Sequence, residues 1–463
     1  MPNNKRATDS ILRQLIALSW PIVLAFMMQT SYNLIDLFWV GKLGATAIAA
    51  VSLAGNIFYV ILAVGQILGS GTVALVAHAF GAGLAERANQ IVEQSLSMTS
   101  IIAFTVCLAG LLFTKQIIMF LGGSGDVLFH GTDYLRIVFI GFFFQLLSFS
   151  INYAFRGTGD MKTPMTIMLV ATVVNLVLDP LLILGIGFFP RLEVRGAAIA
   201  TAIAQFSSFL IGLVILIRGR SGIKLKPKRQ WHFEPNIIKR IFSIGIPAGI
   251  SYGLMATSVM IIFGVVAAFS EYALAALGIG TRIFQFASLP VVGIGVATTT
   301  LVGQNLGARA AHQATRVGNT AILMSTVIMI LCTVVFTTCA HPLIAFFTDS
   351  PPVITQGVNF LHIVAYYLLF VGITTSLAGV FRGAGYTLPP MFVGFLKVML
   401  LYALAIILTR TLHLGVVGVW WAMLVSYGIE SIMLFIWYRQ GGWREKGLEL
   451  LKGLAVTERS SIG

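Results

Sequence analysis

Charge is what this chain has least of: 10% of its 463 residues are Asp, Glu, Lys or Arg, against 57% apolar. A soluble protein of that length could not cover so much apolar surface with so thin a polar coat. Cysteine is nearly as scarce. Cys107, Cys332 and Cys339 all stand inside apolar runs, where a thiol behaves as a small hydrophobe. No disulfide framework and no metal-ligand spacing can be drawn from them. Residues 1–14 carry charge but lack the early apolar core and small-residue cleavage site of a secretory leader, so the first span is expected to direct insertion itself. A phosphate-cradling glycine loop is missing, which argues against ATP as the direct driver, and so is any His/Asp or His/Glu cluster suited to an enzyme. No cofactor is expected.

What the chain has in abundance is long apolar runs. Mean hydropathy is +0.92, and stretches of about 20 apolar residues recur, each long enough to cross a hydrocarbon core of roughly 30 Å as a helix. Runs such as Ile101 to Phe113 and Met399 to Leu408 do not alternate apolar and polar residues, so a barrel is excluded. The fold class is an all-α polytopic membrane protein of twelve transmembrane helices. In the first half the expected spans are Leu15–Val40, Ile48–Val76, Ala88–Leu112, Tyr134–Phe155, Pro164–Gly185 and Gly196–Ile217. In the second they are Ile241–Ala267, Ala273–Val302, Thr315–Thr338, Gly357–Val380, Pro390–Leu408 and Gly418–Tyr438. The domain reading follows: 1–217 an N-terminal six-helix lobe, 218–240 a basic linker, 241–438 a C-terminal six-helix lobe, 439–463 a tail.

The net charge of +14 could suggest nucleic acid, but the basic residues are confined to a few connections, as topology signals are. No nucleic-acid partner is expected. The termini and the connections after even-numbered spans hold about 22 of the 30 Lys and Arg, and the opposite loops about 6. The positive-inside rule then places both termini and the linker in the cytoplasm, and the protein in the plasma (inner) membrane, surrounded by lipid.

A shift of 226 positions, the separation of Pro21 and Pro247, brings the halves into register. Ala47, Ala49 and Ala50 fall on Ala273, Ala275 and Ala276, and Gly81-Ala82 on Gly307-Ala308. Phe155-Arg-Gly-Thr-Gly159 falls on Phe381-Arg-Gly-Ala-Gly385, and Pro164-Met165 on Pro390-Met391. Six spans per half is an even number, so both halves enter the membrane from the same side. They should be parallel repeats about a pseudo-two-fold axis along the membrane normal, with a cleft between two lobes. That is the build of an alternating-access transporter.

Polar residues inside spans are costly and are the functional candidates. Gln29, Tyr32 and Asp36 share a face of span one, Thr172, Asn175 and Asp179 repeat that spacing on span five, and Thr201, Gln205 and Ser208 line span six. Hydroxyl stripes commonly do no more than bind helices together. The aspartates read differently, because the repeat supplies a control. Asp36 falls on Ile262, Asp179 on Ala405, Tyr32 on Ser258 and Asn175 on Leu401. Glue common to both lobes should be duplicated, and these acids are not. Two carboxylates close together in a low-dielectric site cannot both stay ionised cheaply, so the pair suits a carried proton or a Na⁺ with oxygen ligands from Asn175 and Thr201. No other metal is expected. Pro21 and Pro180 are the expected hinges, each removing a backbone hydrogen bond near an acid.

The cleft is expected to take substrate on Tyr32, Gln29, Met27, Met28, Phe149, Met255 and Phe284, since soft and aromatic side chains suit varied small molecules. Lys397 and Glu430 lie at similar depth in spans eleven and twelve and are expected to pair.

With Pro21 and Asp36 in span one, Asn175 and Asp179 in span five, Phe-Arg-Gly-x-Gly twice, and the segment Asn33-Leu-Ile-Asp-Leu-Phe-Trp-Val-Gly41, the chain resembles the multidrug and toxic compound extrusion (MATE) family over essentially its whole length. It looks closest to the DinF-like branch. The resemblance implies a cation-responsive acidic cluster at Asp36, Asn175 and Asp179, with Thr201 the nearest span-six hydroxyl and Tyr32 and Pro21 in a bending first helix. It also implies bulky, amphiphilic, often cationic substrates and a secondary-active exporter that works as a monomer. The Na⁺-coupled branch that places acids in spans seven and ten is a poorer match, because Ile241–Ala267 and Gly357–Val380 contain no Asp or Glu. The alternative is a flippase for a lipid-linked precursor, which would favour a strongly basic cleft.

Overall fold

In the computed structural model of the chain, the described residues are 2–43, 45–187, 189–219, 221–225 and 233–459, without the side chains of 2–9, 33, 34, 37, 45–50, 52–54, 56, 59, 60 and 455–459. Among them there are helices and no strands. The first half contains α1 (Pro2–Gly41), α2 (Ala45–Gly81), α3 (Ala85–Phe120), α4 (Gly125–Thr158), α5 (Lys162–Leu184) and α6 (Glu193–Arg218). The second contains α7 (Pro235–Ala267), α8 (Glu271–Gly307), α9 (Ala311–Thr338), the short α10 (Ala340–Ala345), α11 (Pro351–Gly383), α12 (Leu388–Ile406), which runs into a π-helical turn at Ile407–Thr411, α13 (Val417–Gln440) and α14 (Gly442–Arg459). Twelve of these helices, all but α10 and α14, are long and apolar enough to cross a membrane, as the hydropathy predicts. The chain is a multi-pass membrane protein. Glycine sets several ends: Gly159, Gly185, Gly219 and Gly441 take the left-handed conformation that closes α4, α5, α6 and α13.

The chain divides into two compact units, Pro21–Gly245 and, together, Met1–Trp20 with Ile246–Gly463. The cuts therefore fall inside α1 and α7, whereas the expected lobes were 1–217 and 241–438. The first twenty residues go with the second half because Ile11 and Leu15 are buried in a cluster with Leu306, Leu434, Tyr438 and Trp443. The start of α7 goes with the first half because Ile237 and Ile241 are buried there and the glycines permit backbone approach. A Cβ on Gly71 would strike the backbone of Ile241, and one on Gly245 that of Ile67.

Within the first unit α4 packs against α2, α3 and α6; within the second α11 packs against α8, α9 and α13. The repeated Phe-Arg-Gly-x-Gly lies at the ends of these two central helices and is a packing device. A Cβ on Gly157 would sit 2.7 Å from Val76, and one on Gly383 would sit 2.5 Å from the Thr299 carbonyl and 3.0 Å from Val302. Val76 and Val302 are themselves related by the 226-residue shift.

The linker at 218–240 is less of a free connection than its charge suggests; residues 220 and 226–232 lie outside the described set. Ser221 Oγ donates to Asp160 Oδ2 (2.5 Å), the Lys224 amide to Asn89 Oδ1 (2.9 Å), and Arg87 Nη1 to Glu234 Oε2 (2.8 Å). Ile223 and Leu225 are buried, and from Pro235 the chain is already α7. The expected tail at 439–463 contains α14. Trp443 is buried there, donates from Nε1 to the Tyr438 carbonyl (3.1 Å) and stacks on the Tyr438 ring at 5.5 Å.

Candidate functional site: an acidic cluster in the first unit

Polar side chains converge inside the first unit where the sequence placed them on separate helices. Asn175 and Asp179 are one turn apart on α5 and almost wholly buried, at 1% and 0% exposure. Asn175 Nδ2 donates to Asp179 Oδ1 at 3.0 Å, which fixes both side chains and leaves Asp179 Oδ2 and Asn175 Oδ1 without partners. Asp36 of α1 lies close enough for its charge to act on Asp179, and its Oδ1 is buried with no hydrogen bond. Tyr32, one turn earlier, is buried, and its hydroxyl is also unpartnered. Thr201 and Gln205 of α6 approach that hydroxyl without completing a hydrogen bond to it.

Buried polar atoms are nearly always satisfied, so each exception requires a reason. Here four coincide: a carboxylate oxygen from each of two aspartates, an amide oxygen and a phenol oxygen. Neither aspartate has a cationic side chain acting on it. Such a set of oxygens fits a proton shared between carboxylates, or a small hard cation such as Na⁺ held by Asp36, Asp179 and Asn175. Among the described residues no three His, Cys, Asp or Glu side chains converge on a metal position.

Tyr134 of α4 is a member of this cluster that the sequence reading missed. It is buried and within electrostatic reach of Asp36, Tyr32 and Asp179. A tyrosine at the start of a span reads as an interfacial anchor, and no polar stripe on α4 marked it otherwise.

The other residues expected at the site lie in varied settings. Pro21 and Pro180 are inside the continuous helices α1 and α5. In the first unit Gln29 and Met28 are half-buried, Met27 is exposed, and Phe149 is half-buried against Gly65. In the second unit Met255 is exposed, while Phe284 packs on the core with its ring 5.2 Å from that of Tyr367.

Tyr367 leads to the second unit's own buried polar group. Its ring meets that of Tyr427 edge-on at 4.5 Å. Lys397 Nζ stands 4.2 Å over the Tyr427 ring and 3.3 Å from Glu430 Oε2, with both charged side chains about 6–7% exposed. The expected pairing of Lys397 with Glu430 is therefore present.

The family model described as MatE matches residues 21–181 and 247–407. Its two matches start 226 residues apart, the same shift that aligns the halves. Among relatives, a probable multidrug resistance protein of Bacillus subtilis, YoeA, is 26% identical over 451 residues, covering 96% of this chain and 97% of its own. A probable multidrug resistance protein of Thermotoga maritima, NorM, is also 26% identical, covering 96% of each. Among solved structures, the Vibrio cholerae MATE transporter VcmN in its bent form superposes with a TM-score of 0.87 at 24% identity, covering 97% of this chain and 99% of its own. An outward-facing multidrug resistance MATE family transporter superposes with a TM-score of 0.84 at 24% identity, covering 96% of each chain.

Proposed function

Because the chain belongs to the MatE family, we propose that it is a secondary-active multidrug efflux transporter, exporting small organic compounds, often cationic and amphiphilic, in exchange for H⁺ or Na⁺ by alternating access. The relatives' names support the multidrug reading. The observation that carries the coupling is the convergence of four unpartnered buried polar atoms on Tyr32, Asp36, Asn175 and Asp179. Asn175 holds Asp179 in place through its amide, and one oxygen of each is left without a partner. Thr201 and Tyr134 complete the polar wall. A bound cation supplies positive charge that lets both carboxylates stay close in a low-dielectric site. With that charge in place the aspartates no longer repel, α1 is free to bend near Pro21, and α5 near Pro180. Loss of the charge restores the repulsion, and substrate binds from the cytoplasmic side. The residues proposed to meet substrate are Tyr32, Gln29, Met27, Met28, Phe149, Met255 and Phe284. The proposed setting is the plasma membrane with both termini cytoplasmic, and the proposed working unit is the monomer.

The test is flux of a fluorescent organic cation in reconstituted vesicles under separately imposed pH and Na⁺ gradients. One gradient is expected to drive flux and thereby to identify the coupling ion. If neither does, across several dyes and an active preparation, the exporter reading fails.

A further inference from the structure

In the second unit the Lys397–Glu430 pair is a buried carboxylate that already has its cation. Glu430 is a buried carboxylate of α13, as Asp179 is of α5, and its charge needs a counter-charge there. Lys397 of α12 supplies one at 3.3 Å and also stands 4.2 Å over the Tyr427 ring. Tyr427 is braced by Tyr367, and Tyr367 by Phe284. Lys397 meets the Tyr427 ring and the Glu430 carboxylate, and among the described residues Lys397 is the cation acting on Glu430. The carboxylate is not fully used: Glu430 Oε2 has no hydrogen bond of good geometry.

We infer that Lys397 is a tethered counter-cation which keeps Glu430 from taking an ion from solution, and so confines cation coupling to the Asp36–Asp179 cluster. Lys397 is thus a residue that determines how many cations are moved per substrate. The inference rests on the reading of Asp36 and Asp179 as the coupling site. A Lys397→Met change removes the tethered charge and leaves a buried carboxylate that must take a proton or an external cation. That is the condition of the first unit's acids.

The experiment measures the cation-to-substrate ratio at static head in proteoliposomes, where an imposed gradient of the coupling ion just balances a dye gradient. Lys397→Met is expected to raise the ratio by one cation per substrate, and Lys397→Met/Glu430→Gln to return it to the wild-type value. A merely structural pair would change stability and leave the ratio alone, so an active Lys397→Met protein with the wild-type ratio overturns the inference. If Lys397→Met does not survive purification, Lys397→Ala is purified with methylammonium. The small cation is expected to raise the melting temperature of Lys397→Ala and to do nothing for Lys397→Ala/Glu430→Gln; no Glu430-dependent rescue overturns the inference. Wild-type coupling that persists in Asp36→Asn/Asp179→Asn is a separate result, and it sinks the site reading rather than the role of Lys397.

Discussion

Asn175 and Asp179 in the first unit correspond by the repeat to Leu401 and Ala405 in the second, and all four are almost fully buried, at 1%, 0%, 0% and 1% exposure. Equal burial means that the scaffold does not require polarity at these places: apolar side chains fill them equally well. The last helix of each half aligns with a shift of 222, carried by Gly196 with Gly418 and by the left-handed caps Gly219 and Gly441. On that alignment Gln205, which faces Tyr32, corresponds to Tyr427, which holds Lys397. The duplicated halves thus share glycine and proline positions and differ in charge. One keeps carboxylates without a cation of its own; the other carries a carboxylate neutralised by its own chain. Packing was duplicated, and the carboxylates without a cationic partner were placed on one copy.

That contrast can be broken at three places, in order of effect. Glu430→Gln strands the Lys397 ammonium, and removing one partner of a buried pair costs about 3–5 kcal/mol. Lys397→Met should cost less, since near neutral pH a carboxylate takes up a proton at lower cost than an ammonium gives one up, and the double change Lys397→Met/Glu430→Gln should recover most of the loss. Thermal unfolding in detergent checks this, and equal losses in the two single variants would contradict it. Next is the duplicated motif. Gly383→Ala presses on the Thr299 carbonyl and Gly157→Ala on the Val76 side chain. Overpacking costs about 1–3 kcal/mol, and the backbone clash at Gly383 should be the costlier of the two. The smallest effect lies in the loop between α4 and α5. Burial works against the Asp160 carboxylate, but hydrogen bonds from Ser221, Thr163 and the Lys162 amide outweigh it and hold Asp160 below its ordinary value. A group so depressed stabilises the fold above its unfolded value of about 3.9, and the contribution is lost as pH falls through the folded value. Ser221→Ala should therefore cost about 1 kcal/mol near neutral pH and, with Asp160 less depressed, lose less stability on acidification than wild type. Melting temperatures across an acid titration would show it. The counterpart of Asp160 in the second half is Tyr386, so no matching acid sensitivity is expected there.

Most of this was legible in the sequence, for reasons that can be named. Lipid forces long apolar helices, so twelve spans could be counted from hydropathy. Phe-Arg-Gly-x-Gly survived duplication because Gly157 and Gly383 sit where a side chain would strike the neighbouring helix. The acids were visible because intramembrane charge is expensive and because their partners in the second half are apolar. The cuts inside α1 and α7 were not legible. Hydropathy finds where a helix crosses, not which neighbours each half of it packs against, and Ile11 and Leu15 look like any other apolar residues. Tyr134 was hidden by its place at a span's end. Pro21 and Pro247 did stand one and two residues from the two cuts, before Pro21 in α1 and before Ile246 in α7.

The central claim is that the Asp36–Asp179 cluster couples a cation to export. The direct test compares wild type with Asp36→Asn in the vesicle assay, measuring both gradient-driven dye flux and dye binding to the purified protein. Gradient-driven flux should fall to background in Asp36→Asn while the protein remains folded and still binds dye. Driven flux at the wild-type rate in that variant would contradict the claim and move the coupling site elsewhere in the chain.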